Sequence, residues 1–189
     1  MPKRPRIYLA GPEVFLPDAL AAGQAKVTLC ATHGFEGVFP LDAALDLTGL
    51  AKHEAAARIS AANEGLMRTC DVLVANLTPF RGVSMDSGTA FEVGFMRALG
   101  RPVLGYSNIA GDYKARADAY RALRIGLPDA DGPDVDVEDF GLAENLMIAA
   151  AIVESGGSVV ARAVPEGQEM RDLTGFEACL VQVQRRLSP

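Results

Sequence analysis

What the chain lacks narrows its function before anything it contains. It has only two histidines, His33 and His53, and neither has a metal-spaced partner; both are expected at the surface. Cysteine is scarce too. Cys30, Cys70 and Cys179 are odd in number, widely separated and set in apolar surroundings, which predicts buried free thiols in place of a disulfide set or a metal site. There is no GxGxxG, no P-loop and no Ser/His/Asp set. No apolar run approaches the ~20 residues that cross a bilayer, and the opening MPKRPRIYLAGP is too short in its apolar part for a signal peptide. The expected location is the cytoplasm, with no membrane partner. Excess positive charge is also missing: 24 acidic residues against 18 basic ones leave a net charge of −6. A nucleic-acid polymer needs a basic stripe to neutralise its phosphates, so it is a poor candidate partner, and a small neutral ligand fits better.

What is present reads as one domain over residues 1–189, large enough to bury roughly 70% of its unfolded surface without staples. Apolar strand patterns occur at Arg6–Ala10, 35–39, 71–77, 102–106 and 158–163. Helical spacing occurs at Ala19–Thr32 (with Gly34 as its C-terminal cap), 52–67, up to Gly100 after the third strand, 142–154 and 168–187. Strands alternating with helices predict an α/β fold with a parallel sheet, right-handed crossovers and helices on both faces. The pattern weakens over 107–139, where only 118–125 looks helical; this segment is either a flap over a site or a variable surface insertion.

Ligands of such sheets bind outside the carboxyl ends of the strands. The segment 71–100, DVLVANLTPFRGVSMDSGTAFEVGFMRALG, places a Gly-rich polar loop and then Glu92 at that edge. Glu92 has two readings. With Thr89 it fits a capping box in the helix's first turn. In the same place, beside the helix N-terminus, it would be held ionised as a nucleophile for a carbon with oxocarbenium character. Asp86 is either a turn cap or the second carboxyl group, which handles a proton. Tyr8, near the end of the first strand, is a core aromatic whose hydroxyl needs a partner, and Glu92 is a candidate. Asn63 lies on the second helix among Ala and Leu, where exposure is the default, and Leu146 and Met147 are most simply packing residues.

Three stretches in register carry a resemblance: Ile7-Tyr8-Leu9-Ala10-Gly11-Pro12, residues 71–94, and Phe140-Gly141-Leu142 with Asn145-Leu146-Met147. Together they resemble the nucleoside 2-deoxyribosyltransferases from residue 6 to about 150. The resemblance implies a flavodoxin-like (Rossmann-like) five-stranded parallel sheet and a homo-oligomer, a dimer or an assembly of dimers, with shared active sites. It implies exchange of the base on a 2′-deoxynucleoside with a free nucleobase, through a deoxyribosyl–glutamate ester and without a cofactor. By position, Glu92 corresponds to the nucleophile, Asp86 to the group that handles the proton or the sugar hydroxyl, and Tyr8 to the residue that orients the glutamate. Gly11, Pro12, Asn63, Gly82 and Gly88 correspond to substrate-binding positions. Asn145, with Met147 beside it, corresponds to a residue lent to a neighbouring subunit's site. The chain departs from some members at Asn63, where they carry an aspartate; an amide can hydrogen-bond a base edge but cannot supply a proton. Asn63, TPFRG and GTAFEVG together look closer to the purine-preferring members. Two alternatives stand beside transfer: an N-glycosidase in which water intercepts the ester, and a binding domain in which Glu92 only caps its helix. The first loop, 11–18, has two acids and no basic residue, which favours nucleosides over 5′-monophosphates, with Arg81 as the one nearby cation.

Overall fold

The computed structural model describes residues 3–42, 45–124 and 135–187. Its strands are β1 (Arg6–Ala10), β2 (Glu36–Val38), β3 (Val72–Asn76), β4 (Val103–Ser107) and β5 (Val159–Ala161). All pair in parallel, in the order β2-β1-β3-β4-β5. This is the flavodoxin-like order, and it reverses direction between β1 and β3. The helices are α1 (Ala19–Thr32), α2 (Lys52–Arg68), α3 (Ser87–Ala98), α4 (Tyr113–Arg124), α5 (Leu146–Glu154) and α6 (Thr174–Leu187). None of them, among the described residues, is long and apolar enough to cross a membrane.

Alternation along the buried strands divides the core into two layers. Ile7, Leu9, Val72, Val74, Leu104 and Tyr106 meet Cys30 of α1 and Phe176, Cys179, Leu180 and Val183 of α6. Tyr8, Ala10, Leu73, Ala75 and Val103 face the other way, onto Met67 of α2, Val93 and Met96 of α3, and Ile152 of α5. Tyr8 therefore lies on the α3 side of the sheet because of its parity in β1. All three cysteines are buried and free. Burial pushes their thiols up, to about 12 for Cys30, about 11 for Cys70 and about 12 for Cys179, so they serve as packing groups.

Side-chain caps move several helix starts from where periodicity put them. Asn145 Oδ1 accepts the Met147 N–H at 3.0 Å, so α5 begins at Leu146 and residues 142–145 are loop. Asp172 takes the Thr174 N–H at 2.8 Å, which delays α6 to Thr174. Asp112 accepts the Ala115 N–H at 2.7 Å, so α4 starts five residues before the predicted 118. Position 125 and the rest of the weak segment through 134 lie outside the described residues. His33, expected at the surface, is half-buried at the end of α1, each ring nitrogen 3.2 Å from a carboxylate or amide oxygen of α6.

Candidate active site

The site sits where β1 and β3 end. Gly11 and the 3-10 turn Pro12–Phe15 follow β1; the loop 77–86 and then α3 follow β3. Asp86 is the N-cap of α3, its Oδ2 accepting the Thr89 N–H at 3.1 Å. This corrects the capping-box reading of Thr89 and Glu92. The helix begins three residues earlier than that box requires, so Glu92 lies in the second turn. The Thr89 hydroxyl, buried, has no hydrogen-bond partner. Glu92 is turned toward the sheet instead, where the buried Tyr8 hydroxyl donates to its Oε1 at 2.8 Å.

Its electrostatics also differ from the expectation that a helix terminus keeps Glu92 ionised. Burial, which disfavours the charged form, pushes its carboxyl up to about 7. The Tyr8 hydrogen bond opposes that rise, while the charges of Asp86 and Glu13 add to it. Tyr8 itself is held far above the ordinary phenol range, first by burial and then by the facing Glu92, so it acts as a donor only.

Glu92 and Asp86 line a cavity of about 310 Å³ with Gly11, Val14, Phe15, Ile59, Asn63, Gly88 and Thr89. A wider depression of about 630 Å³ shares Phe15, Ile59, Asn63, Gly88 and Glu92 with it and runs along α2 past Ser60 and Glu64. Among the described residues, no basic side chain lines either one. Asn63, expected to be exposed, is half-buried on the cavity wall. A Cβ at Gly88 would come within 2.9 Å of Asp86 Oδ2, so the glycine leaves that carboxylate its place.

Gly11 is required more strictly. A Cβ there would fall 2.1 Å from Glu13 Oε2 and 2.9 Å from Asn76 Cβ. Glu13 is almost fully buried, ion-paired with the equally buried Lys26, and its Oε1 also accepts from Asn76 Nδ2 at 2.8 Å and Tyr106 OH at 3.1 Å. Oε2 has no partner. The acid noted in the first loop is thus an internal anchor of that loop.

The remaining expected positions fall elsewhere. Pro12 opens the 3-10 turn behind Gly11 without lining the cavity, and Gly82 is exposed on the far part of its loop. Arg81 stacks its guanidinium over Phe15 and Phe80, 4.9 and 4.6 Å from their ring centroids. Asn145 and Met147 are not in this chain's cavity. Met147 is 70% exposed. Sequence reasoning missed Phe15, Ile59 and the Thr89 hydroxyl as lining groups. Phe15 had a signal, an aromatic in the loop after β1; Ile59 had only the helical spacing of 52–67, which marks a packing face and not a site.

With this geometry in place, comparison with known proteins is decisive at one level. The model of the family described as nucleoside 2-deoxyribosyltransferase matches residues 7–147. The chain belongs to that family. It is 33% identical over 173 residues to an uncharacterised protein of Schizosaccharomyces pombe, covering 83% of this chain and 81% of that protein. Among solved structures it is similar to a 2-desoxiribosyltransferase from Leishmania mexicana, with 26% identity, TM-score 0.69, and 97% of this chain and 99% of that one covered. A conserved protein from Enterococcus faecalis V583 shares the fold at 21% identity and TM-score 0.57, with 96% and 99% covered.

Proposed function

We propose that the protein transfers a 2-deoxyribosyl group between nucleobases by double displacement on Glu92. The observation that carries this is a carboxylate held by the Tyr8 hydroxyl at 2.8 Å on the wall of a cavity that also contains Asp86. Oε1 is the oxygen Tyr8 fixes, so Oε2 attacks C1′. The bond from C1′ to the base nitrogen breaks, the base leaves with the electron pair and takes up a proton, and a deoxyribosyl ester remains on Glu92. An incoming base then attacks C1′ and releases the carboxylate. Asp86, beside the same cavity, handles the proton or the sugar hydroxyl. Tyr8 steadies the carboxylate form, which must be present for the first attack.

The absence of basic side chains from both cavity linings supports nucleosides over 5′-monophosphates, since Arg81 is committed to its two phenyl rings. Asn63 on the wall supplies both a donor and an acceptor to a base edge, and the purine preference rests on the likeness of Asn63, TPFRG and GTAFEVG to the purine-preferring members. Asn145 and Met147 serve a neighbouring subunit's site.

Incubation with 2′-deoxyadenosine, with and without a second free base, tests the reaction. A new deoxynucleoside formed only in the presence of the acceptor is the expected product. Free deoxyribose released at the same rate with or without acceptor would replace transfer by hydrolysis, and no turnover of any deoxynucleoside would leave only binding. Turnover of 2′-deoxyadenosine is expected to exceed that of 2′-deoxycytidine, and ribonucleosides to react poorly.

A further inference from the structure

Glu144 is a fully buried carboxylate that the reaction above does not use. Its Oε1 accepts the Ser84 hydroxyl at 2.6 Å and the Asn145 N–H at 3.0 Å. Its Oε2 lies 3.4 Å from Arg116 Nη2 of α4, whose side chain is itself only 13% exposed. The same guanidinium donates to the Val83 carbonyl at 3.1 Å and the Ala143 carbonyl at 2.7 Å. Two segments distant in sequence are therefore tied on both sides of one ion pair. One is the loop that ends in Asp86, also closed on itself by the Phe80 N–H to the Ser84 carbonyl at 2.9 Å. The other is the loop that presents Asn145.

Burying such a pair is expensive, and an apolar plug of the same volume would often be as stable. What the pair adds is a fixed relation between Ser84 and Asn145 that apolar packing would not impose. We propose that Glu144 is a positioning residue for two active sites at once. Through Ser84 it sets the loop that delivers Asp86 to this chain's cavity, and through the Asn145 backbone it sets the side chain lent to the neighbouring subunit. This rests on the transferase reading and on Asn145 acting across subunits.

Mixed oligomers separate the two branches. Two tagged chains, one with Glu92→Ala and one with Asn145→Ala, are co-expressed and the mixed pairs purified. The single complete site then takes its nucleophile from the Asn145→Ala chain and its asparagine from the other. Turnover of 2′-deoxyadenosine above that of either parent is expected; its absence overturns the shared site and the proposal with it. Glu144→Ala is next added to one chain or the other. On the chain with the nucleophile it should lower kcat about tenfold at nearly constant KM. On the chain that lends Asn145 it should raise KM about tenfold, since misplacement by an ångström has effects of this size or larger. With recovery established, a loss in one placement only, or in neither, overturns the dual role while leaving the shared site standing. Ser84→Ala removes only the loop branch, so it should lower kcat in the first placement and change nothing in the second. Equal losses from Ser84→Ala in both placements would mean general destabilisation and would also overturn the proposal.

Discussion

Two carboxylates, Glu13 almost fully buried and Glu92 partly so, stand at the same edge of the sheet, and the fold treats them in opposite ways. Glu13, on the α1 side, is neutralised by Lys26 and held by Asn76 and Tyr106. Glu92, on the α3 side, has a tyrosine hydroxyl but no cation among the described residues, and its carboxyl rises to about 7. Burial thus produces an anchor where a counter-charge is supplied and a reactive group where it is withheld. Perturbed carboxylates in clefts are candidates for chemistry for this reason.

The comparison breaks most visibly if Glu92 is dispensable. Glu92→Ala should lower deoxynucleoside turnover at least about a thousandfold, on the order of 4 kcal/mol, with an unchanged circular dichroism spectrum. Full activity in that variant would remove the nucleophile. Glu13→Ala should act on stability instead, costing about 3–5 kcal/mol in denaturant unfolding because Lys26 is left buried and unpaired. The double change Glu13→Gln with Lys26→Met should recover much of that loss; if it recovers none, the pair is not what anchors the turn.

The missing cation at Glu92 has a stability signature of definite sign. With its carboxyl raised from the ordinary 4.5 to about 7, the folded protein keeps a proton that the unfolded chain has released. The resulting stabilisation is complete below pH 4.5 and disappears as pH rises through 7. Glu92→Gln should therefore stabilise by on the order of 3 kcal/mol at pH 8 and by almost nothing at pH 4. An equal effect at both pH values would show that Glu92 is not held protonated by burial. For activity the direction reverses: kcat/KM should fall as pH drops below about 7, when the nucleophile takes up its proton. Tyr8→Phe should move that limb to higher pH, because it removes the bond that favours the carboxylate, and should lower kcat/KM about tenfold at pH 7. The smallest effect sharpens the role of Asp86. Asparagine caps helices as well as aspartate does, so Asp86→Asn should alter stability by less than about 0.5 kcal/mol while turnover falls. Loss of both together would make Asp86 a cap and nothing more.

The order of strands and helices was legible because period-2 and period-3.6 patterns mark buried faces, and β1, β3 and β4 are apolar enough to leave no other option. Helix starts were not, because Asp86, Asp112, Asn145 and Asp172 each end a loop by one side-chain bond that periodicity does not register. At the site, Tyr8 and Glu92 could be paired in advance because Tyr8 lies near the carboxyl end of β1 and its hydroxyl needs a partner there. Glu13 read as an ordinary loop acid and Glu144 as part of the 142–154 helix, since nothing adjacent in sequence announces Lys26, Tyr106, Ser84 or Arg116 as their partners.

The sequence by itself determined the α/β alternation, the edge where chemistry belongs and the residues that mark the family, since these depend on local pattern and residue type. Only the tertiary structure decided which carboxylate is neutralised and which is left without a counter-charge. That outcome depends on groups from α1, β3 and β4 arriving around Glu13 and none of them reaching Glu92, and charge compensation in a buried site depends on distance through space.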